Sequence, residues 1–289
     1  MKIAFIGLGI MGSRMATNLL AKHPDLTIYN RSDAPARALA DKGATRATSI
    51  ADAVRDADLV LSMLAHPEAV EAVFVGPEGA LAHMKPGAIW ADCSTVNPSF
   101  SRRMHAQVEQ RGLRFADAPV AGTKPAAQNA ELVYFVGADD DVLTEIKPVL
   151  ELMSKKVLHL GEVGKGSAFK MLVNALLAQS WVAFSETVLL GERMGLDRDF
   201  LLDTLPNLAV TAPFTKIKAA MLKAGDDDVQ FPLELMAKDL HLAAVSAYEV
   251  GQPLYLSNVA KELYSTAALA GRGREDFSAI FHQLRGGTE

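Results

Sequence analysis

Ile3-Ala4-Phe5-Ile6-Gly7-Leu8-Gly9-Ile10-Met11-Gly12 is the stretch on which the fold turns. Its first four residues are apolar and uncharged, which reads as a short buried strand. A G-x-G-x-x-G follows without a gap, and the spacing from Met11 to Ala21 then reads as a helix. A strand before the glycines and a helix after them is the context that separates a dinucleotide-binding turn from an ordinary glycine-rich one. Gly7 permits the tight turn, Gly9 lets backbone approach a pyrophosphate, and Gly12 lets the helix pack close to the strand. The helix start offers N–H groups and a positive dipole end to phosphate. Gly7, Leu8, Gly9, Ile10, Met11 and Gly12 are therefore candidate cofactor contacts.

Outward from this turn, short apolar runs recur at Thr27-Tyr29, Leu59-Ser62, Ile89-Asp92, Phe115-Ala118 and Val133-Val136. Helical stretches such as Ala34-Asp41, Glu68-Phe74 and Phe100-Glu109 lie between most of them. Such alternation predicts an α/β fold, a Rossmann-like, mostly parallel sheet with helices on both faces. The pattern changes near Gly161. Ser167 to Arg193 contains no proline and one glycine, Gly191, and its apolar residues spread around the whole circumference. It reads as one long buried helix. Asn174, Gln179, Ser180, Ser185 and Glu186 interrupt every window that could span a membrane. Helical patterns continue through Asp199-Leu205, Lys216-Lys223, Leu233-Val250 and Ser257-Leu269. The expected domains are 1–162, binding the dinucleotide, and 163–289, all-helical and opened by the long interdomain helix, with an active site in the cleft between them.

Composition narrows the function classes. The 289 residues carry a net charge of -5, with Lys and Arg scattered, which argues against a nucleic-acid or polybasic membrane surface. A single cysteine, Cys93, excludes an internal disulfide framework and fits a reducing compartment. The seven histidines show no metal-ligand spacing, so no metal is expected. Met1-Lys2 leads straight into the first strand, without the pattern of a signal or transit peptide, and the expected setting is the cytosol.

The end of the second strand selects the dinucleotide. An enzyme that takes NAD usually places a carboxylate there to hold the ribose 2′-hydroxyl. This chain has Asn30, Arg31 and Ser32 instead. Arg31 can fork onto a 2′-phosphate, and Asn30 and Ser32 can add neutral hydrogen bonds, which predicts NADPH/NADP+. The other reading makes Arg31 a solvated loop charge. Asp33, just behind, is expected to N-cap the helix starting near Ala34-Pro35.

Further on, Lys170 and Asn174 stand at i and i+4 in the first turns of the long helix, on one face. Carbonyl reduction needs a proton at oxygen as hydride reaches carbon, and a lysine ammonium can supply it. The same spacing also suits a solvated helix face. Ser94 and Thr95 follow a strand, where open α/β sheets bind ligands, and are either anion-facing hydroxyls or turn caps. Gly122 and Thr123 could present backbone N–H groups to a substrate carboxylate. Cys93 reads as a small packed residue, and Asp139-Asp141 and Asp226-Asp228 as solvated loops and caps.

Four segments together resemble the β-hydroxyacid dehydrogenase family, which contains 3-hydroxyisobutyrate dehydrogenase, over essentially the whole chain. They are Gly7-Gly12, Asp92-Cys93-Ser94-Thr95-Val96-Asn97-Pro98, Asp117-Ala118-Pro119-Val120-Ala121-Gly122, and Gly164 through Lys170 to Asn174. The resemblance implies that Lys170 is the catalytic acid/base and that Asn174 supports it. Gly122-Thr123-Lys124-Pro125 and Phe231-Pro232-Leu233-Glu234-Leu235-Met236-Ala237-Lys238-Asp239-Leu240 look like the glyoxylate and succinic semialdehyde reductase subgroup. That likeness implies reduction of short carboxylate-bearing aldehydes with NADPH. It also implies Thr95 near cofactor and substrate, Phe231 and Asp239 at the substrate, Lys238 at the cofactor, and Met63-Leu64 along the nicotinamide. Ala121 departs from a family serine, and Ala126 and Ala130 replace family glycines, which puts the exact substrate in question. Three alternatives stay open: a 3-hydroxyisobutyrate-type dehydrogenase, an imine or ketone reductase with a repurposed pocket, and a non-catalytic NADPH-binding protein. A homodimer or homotetramer is expected.

Overall fold

Each apolar run of the first half becomes a strand of one sheet. The strands are β1 (Ile3–Ile6), β2 (Thr27–Tyr29), β3 (Thr45–Arg46), β4 (Leu59–Ser62), β5 (Ile89–Asp92), β6 (Arg114–Asp117), β7 (Val120–Ala121), β8 (Leu132–Gly137) and β9 (Ser154–Gly161). Their order is β3-β2-β1-β4-β5-β6-β8-β7, with β9 paired to β8. Among the strands of the described residues, only β6–β8 and β7–β8 pair antiparallel. The computed structural model describes residues 1–286, which group into two units, Met1–Met171 and the chain from Leu172 onward.

Helices of the first unit are α1 (Gly12–Leu20), α2 (Asp33–Ala40), α3 (Ile50–Val54), α4 (Pro67–Phe74), α5 (Pro98–Glu109), α6 (Lys124–Gln128) and α7 (Asp140–Leu150). Alternate strand residues enter two different cores. Ile3, Phe5, Leu59, Leu61, Ile89 and Ala91 meet Met15 and Leu19 of α1 and Ile146 of α7. Ala4, Ile6, Val60 and Trp90 meet Val54, Phe74 and Met104 of α3, α4 and α5. Burial on both faces is why these strands read as unbroken apolar runs. The exceptions are edge strands: β3, with Thr45 and Arg46 both exposed, and β9, which carries exposed Lys155 and Lys156. Charge suits an edge that must not recruit another strand, and it hides the apolar signal that a buried strand shows. Helix α7 was equally silent: of Asp139-Asp141, read as solvated loop and cap, Asp139 holds the N-cap position and Asp140 and Asp141 form the acidic first turn.

The second half contains α8 (Lys165–Arg193), α9 (Arg198–Thr204), α10 (Thr215–Ala224), α11 (Leu233–Glu249), α12 (Tyr255–Ala267) and α13 (Ile280–Arg285). Helix α8 starts in the first unit and continues into the second. By length and composition alone it could cross a membrane. Its Ala178, Trp181, Phe184 and Val188 instead join Leu201, Met236, Tyr264 and Phe281 in the core of the second unit. One expectation is corrected here. Helix α8 is not buried all round, because Leu172 and Leu176 are each 67 % exposed and Leu190 is 61 % exposed.

A buried ion pair ties the second unit together. Lys218 Nζ of α10 donates to Asp276 Oδ1 at 2.7 Å, with both side chains nearly inaccessible. Asp276 also accepts the N–H groups of Gln230, Phe231 and Ser278, so every lone pair taken from water meets a donor.

Candidate active site

The four parallel strands β2, β1, β4 and β5 are neighbours, so the loops that leave their carboxyl ends emerge along one edge. This edge carries Asn30-Ser32, Gly7-Gly12, Met63-Leu64 and Ser94-Thr95. Gly7 has φ +94°, and a Cβ there would run into the Met63 carbonyl as well as Leu64 Cδ2 at 2.9 Å. Its glycine is therefore required by the crossing of two loops, in addition to the turn itself. Gly12 presses against the Gly7 carbonyl. Gly9 differs: it is exposed, and an added Cβ would meet nothing within 4 Å. The protein's own packing does not demand glycine there, and open space lies over the start of α1, which has no side-chain cap. The Ser13 and Arg14 N–H groups turn back onto the Gly9 and Met11 carbonyls, and a helix start without a side-chain cap beneath an open glycine fits a dinucleotide pyrophosphate.

Asn30 serves that loop from within. Its Oδ1 accepts the Leu8 N–H at 2.8 Å, and its Nδ2 donates to the Ser32 carbonyl and hydroxyl. Its amide thus braces the glycine loop against the end of β2. Arg31 is exposed beside it. The expectation for Asp33 is corrected: Ser32 holds the N-cap position of α2, and Asp33 opens the helix while pairing with Arg37 and Arg46. Two guanidinium groups thus offset the one carboxylate near this corner.

A second chain of hydrogen bonds joins β4 and β5. Trp90 Nε1 donates to Ser62 Oγ, which donates to Asp92 Oδ1, which accepts the Ser94 N–H. Ser94 Oγ then accepts the Leu64 N–H at 2.9 Å. Ser94 is fully buried, and its side chain braces the two loops. Thr95 is half-buried next to it, as are Met63 and Leu64. Cys93 is enclosed, and burial pushes its thiol up beyond the reactive range. Gly122 is exposed at φ +113°, and Thr123 holds the N-cap position of α6 without using its side chain there.

Lys170 is 8 % exposed and Asn174 is 2 % exposed, which rules out the solvated-face reading of that pair. Asn174 Nδ2 donates to Asp239 Oδ2 at 2.6 Å, fixing the amide. Asp239 Oδ1 lies 2.7 Å from Lys238 Nζ. Lys238, expected at the cofactor, thus has its ammonium on Asp239. Phe231 is half-buried, its ring 5.8 Å from that of Phe277 and its N–H held by Asp276.

Sequence reading missed the role of Asp117. Its carboxylate accepts the N–H of Gly164 at 2.7 Å and of Ser167 at 2.6 Å, at the start of α8. Burial pushes its pKa up to about 6, against the pull of those hydrogen bonds. The available signal was an acid closing a strand in a core position, where an unpaired charge is costly.

Residues 2–161 match the family profile described as the NAD binding domain of 6-phosphogluconate dehydrogenase. Residues 164–284 match that of the NAD-binding region of NADP-dependent 3-hydroxyisobutyrate dehydrogenase. The chain is 34 % identical over 283 residues to glyoxylate/succinic semialdehyde reductase 2 of Arabidopsis thaliana, covering 98 % of this chain and 79 % of that protein. The chain belongs to the β-hydroxyacid dehydrogenase family. This hydroxyacid dehydrogenase is also 34 % identical over 286 residues to the NAD-dependent L-serine dehydrogenase of Pseudomonas aeruginosa, covering 96 % of each. Its fold matches Mycobacterium tuberculosis 3-hydroxyisobutyrate dehydrogenase, solved with L-serine, at TM-score 0.89 and 32 % identity over 99 % of both chains. As a β-hydroxyacid dehydrogenase it is an oxidoreductase acting on CH–OH and C=O groups with a nicotinamide dinucleotide.

Proposed function

We propose that this enzyme is an NADPH-dependent reductase of small carboxylate-bearing aldehydes, glyoxylate and succinic semialdehyde among them. The observation that carries the reading is a buried lysine, Lys170, one helical turn before an asparagine whose amide is locked by Asp239. When bound, the reduced nicotinamide supplies hydride to the carbonyl carbon. Lys170 gives its proton to the oxygen, so the aldehyde becomes an alcohol, and the lysine regains a proton from solvent. A cation at that oxygen also stabilises the charge that develops there. Thr95 and the Gly122-Thr123 backbone receive the substrate carboxylate. Gly7, Gly9 and the start of α1 hold the pyrophosphate, and Arg31 holds the 2′-phosphate, with no carboxylate at 30–32 to repel it.

NADPH oxidation followed at 340 nm with acidic aldehydes, uncharged aldehydes and a cyclic imine, repeated with NADH, tests the whole reading. Preference for acidic aldehydes with NADPH is the expected result. Turnover confined to uncharged aldehydes or imines would assign Ala121 to a repurposed pocket. A second reading, an NAD-dependent hydroxyacid or serine dehydrogenase, is favoured by the likeness to the Pseudomonas enzyme and the Mycobacterium structure. Faster NAD-linked oxidation of L-serine or 3-hydroxyisobutyrate would select it. We further propose a homo-oligomer, since Leu172, Leu176 and Leu190 leave an apolar stripe on α8. Light scattering that gives a monomer mass would refute that.

A further inference from the structure

We infer that Asp117 is a positioning residue for the proton donor: its carboxylate caps the first turn of α8 and thereby sets where Lys170 stands. The inference rests on Lys170 being that donor. A helix begins with N–H groups that no helical carbonyl accepts, and a local Ser, Thr, Asp or Asn usually serves them. Here the residue before α8 is Gly164, which has no side chain to offer. The nearest acid in sequence, Glu162, is exposed and pairs with Lys165. The cap comes instead from the end of β6, with Asp117 Oδ1 on Gly164 N and Oδ2 on Ser167 N, across 47 and 50 residues of chain.

The socket is shaped for that carboxylate. A Cβ at Gly166 would lie 2.9 Å from Asp117 Oδ2, and one at Gly137 would overlap Asp117 Oδ1. Gly164 itself sits at φ +94°. Ser101 Oγ hydrogen-bonds Ser167 Oγ at 2.8 Å, holding the same turn from α5. Asp117 is fully buried, so its two N–H partners are not incidental surface contacts. Lys170 follows Ser167 by three residues, less than one helical turn. A change in the cap therefore moves the turn that carries the ammonium, while the glycine loop of the dinucleotide site sits on β1 and is untouched. Displacement of a reacting group by a fraction of an ångström slows the chemical step more than it weakens binding.

Steady-state kinetics and NADPH fluorescence titration of Asp117→Asn, Lys170→Ala and the double variant test this. Asp117→Asn is expected to lower kcat roughly 10- to 100-fold, with the aldehyde KM and NADPH Kd within about twofold. In the Lys170→Ala background the same change is expected to leave the residual kcat unaltered, because its effect runs through the lysine. An equal loss in both backgrounds, or an unchanged kcat in Asp117→Asn, overturns the inference. If Asp117→Asn does not fold, Ser167→Ala replaces it: that variant keeps the N–H but loses a hydroxyl that also bonds Asp117. It is expected to show the same kcat-only loss, about severalfold, and an unaltered kcat overturns the inference. Normal turnover by Lys170→Ala would refute the proton-donor assignment itself. An inactive Lys170→Ala beside a fully active Asp117→Asn would remove only the role of Asp117.

Discussion

Asp117 and Asp276 are both buried aspartates, one in each unit, and they are satisfied in different ways. Asp117 has only hydrogen-bond donors around it, the Gly164 and Ser167 N–H groups foremost, and burial lifts its pKa to about 6. Asp276 has a full cation, Lys218, in addition to its backbone donors. Dipoles aim a carboxylate and keep it titratable near neutrality. A buried cation makes each partner depend on the other. The first arrangement suits a helix start that must be placed with care; the second suits a clamp, here between α10, the 230–232 segment and the turn at 276–278.

The comparison can be broken most severely at the chemistry. Lys170→Ala is expected to reduce kcat roughly a thousandfold with NADPH affinity retained, and near-normal turnover would leave the first unit without its proton donor. The clamp comes next. Lys218→Met strands a buried carboxylate and is expected to cost about 3–5 kcal/mol in urea denaturation, part of it recovered when Asp276→Asn is added. If the single variant loses under 1 kcal/mol, as a solvent-exposed pair would, the clamp reading is wrong.

Asp117→Asn measures the other arrangement through pH. The native pKa of about 6 lies above the ordinary 3.8, so the native state binds more protons than the unfolded one between these values. Stability from this group is complete below pH 3.8 and is lost as pH rises through about 6. The variant lacks that loss. Its stability relative to wild type is therefore expected to improve by roughly 2 kcal/mol from pH 4 to pH 7, and a constant difference would show that Asp117 does not titrate there.

At the dinucleotide the proposed function implies the same contrast on a smaller scale, with backbone at the pyrophosphate and the Arg31 side chain at a 2′-phosphate. Arg31→Ala is expected to raise the NADPH KM about 10- to 30-fold with the NADH KM unaltered. Equal effects on both cofactors would detach Arg31 from the 2′ position. The smallest effect concerns backbone alone. Ala130 sits at φ 56°, in the left-handed region that glycine adopts without strain. Ala130→Gly is expected to stabilise the protein by about 1 kcal/mol in thermal denaturation.

Most of the parallel strands were legible because burial on both faces demands unbroken apolar runs, as in Ile3-Ile6 and Leu59-Ser62. The glycine turn was legible because its steric needs are local. Edge strand β9 escaped, since its exposed lysines carry no such pattern. The Lys170–Asn174 pair was legible as spacing, but its burial was not. Ser94 and Asn30 were named as ligand contacts from residue type, and the fold uses both as internal braces.

Local spacing was thus enough for the α/β class, the phosphate turn and the helix bearing Lys170, because each depends on neighbours within a few residues. Three-dimensional packing alone assigned Asp117 to a helix 47 residues away and Lys218 to Asp276 across 58. A buried charge takes whichever donors the folded backbone brings within about 3 Å, and no periodicity in the chain records which those are.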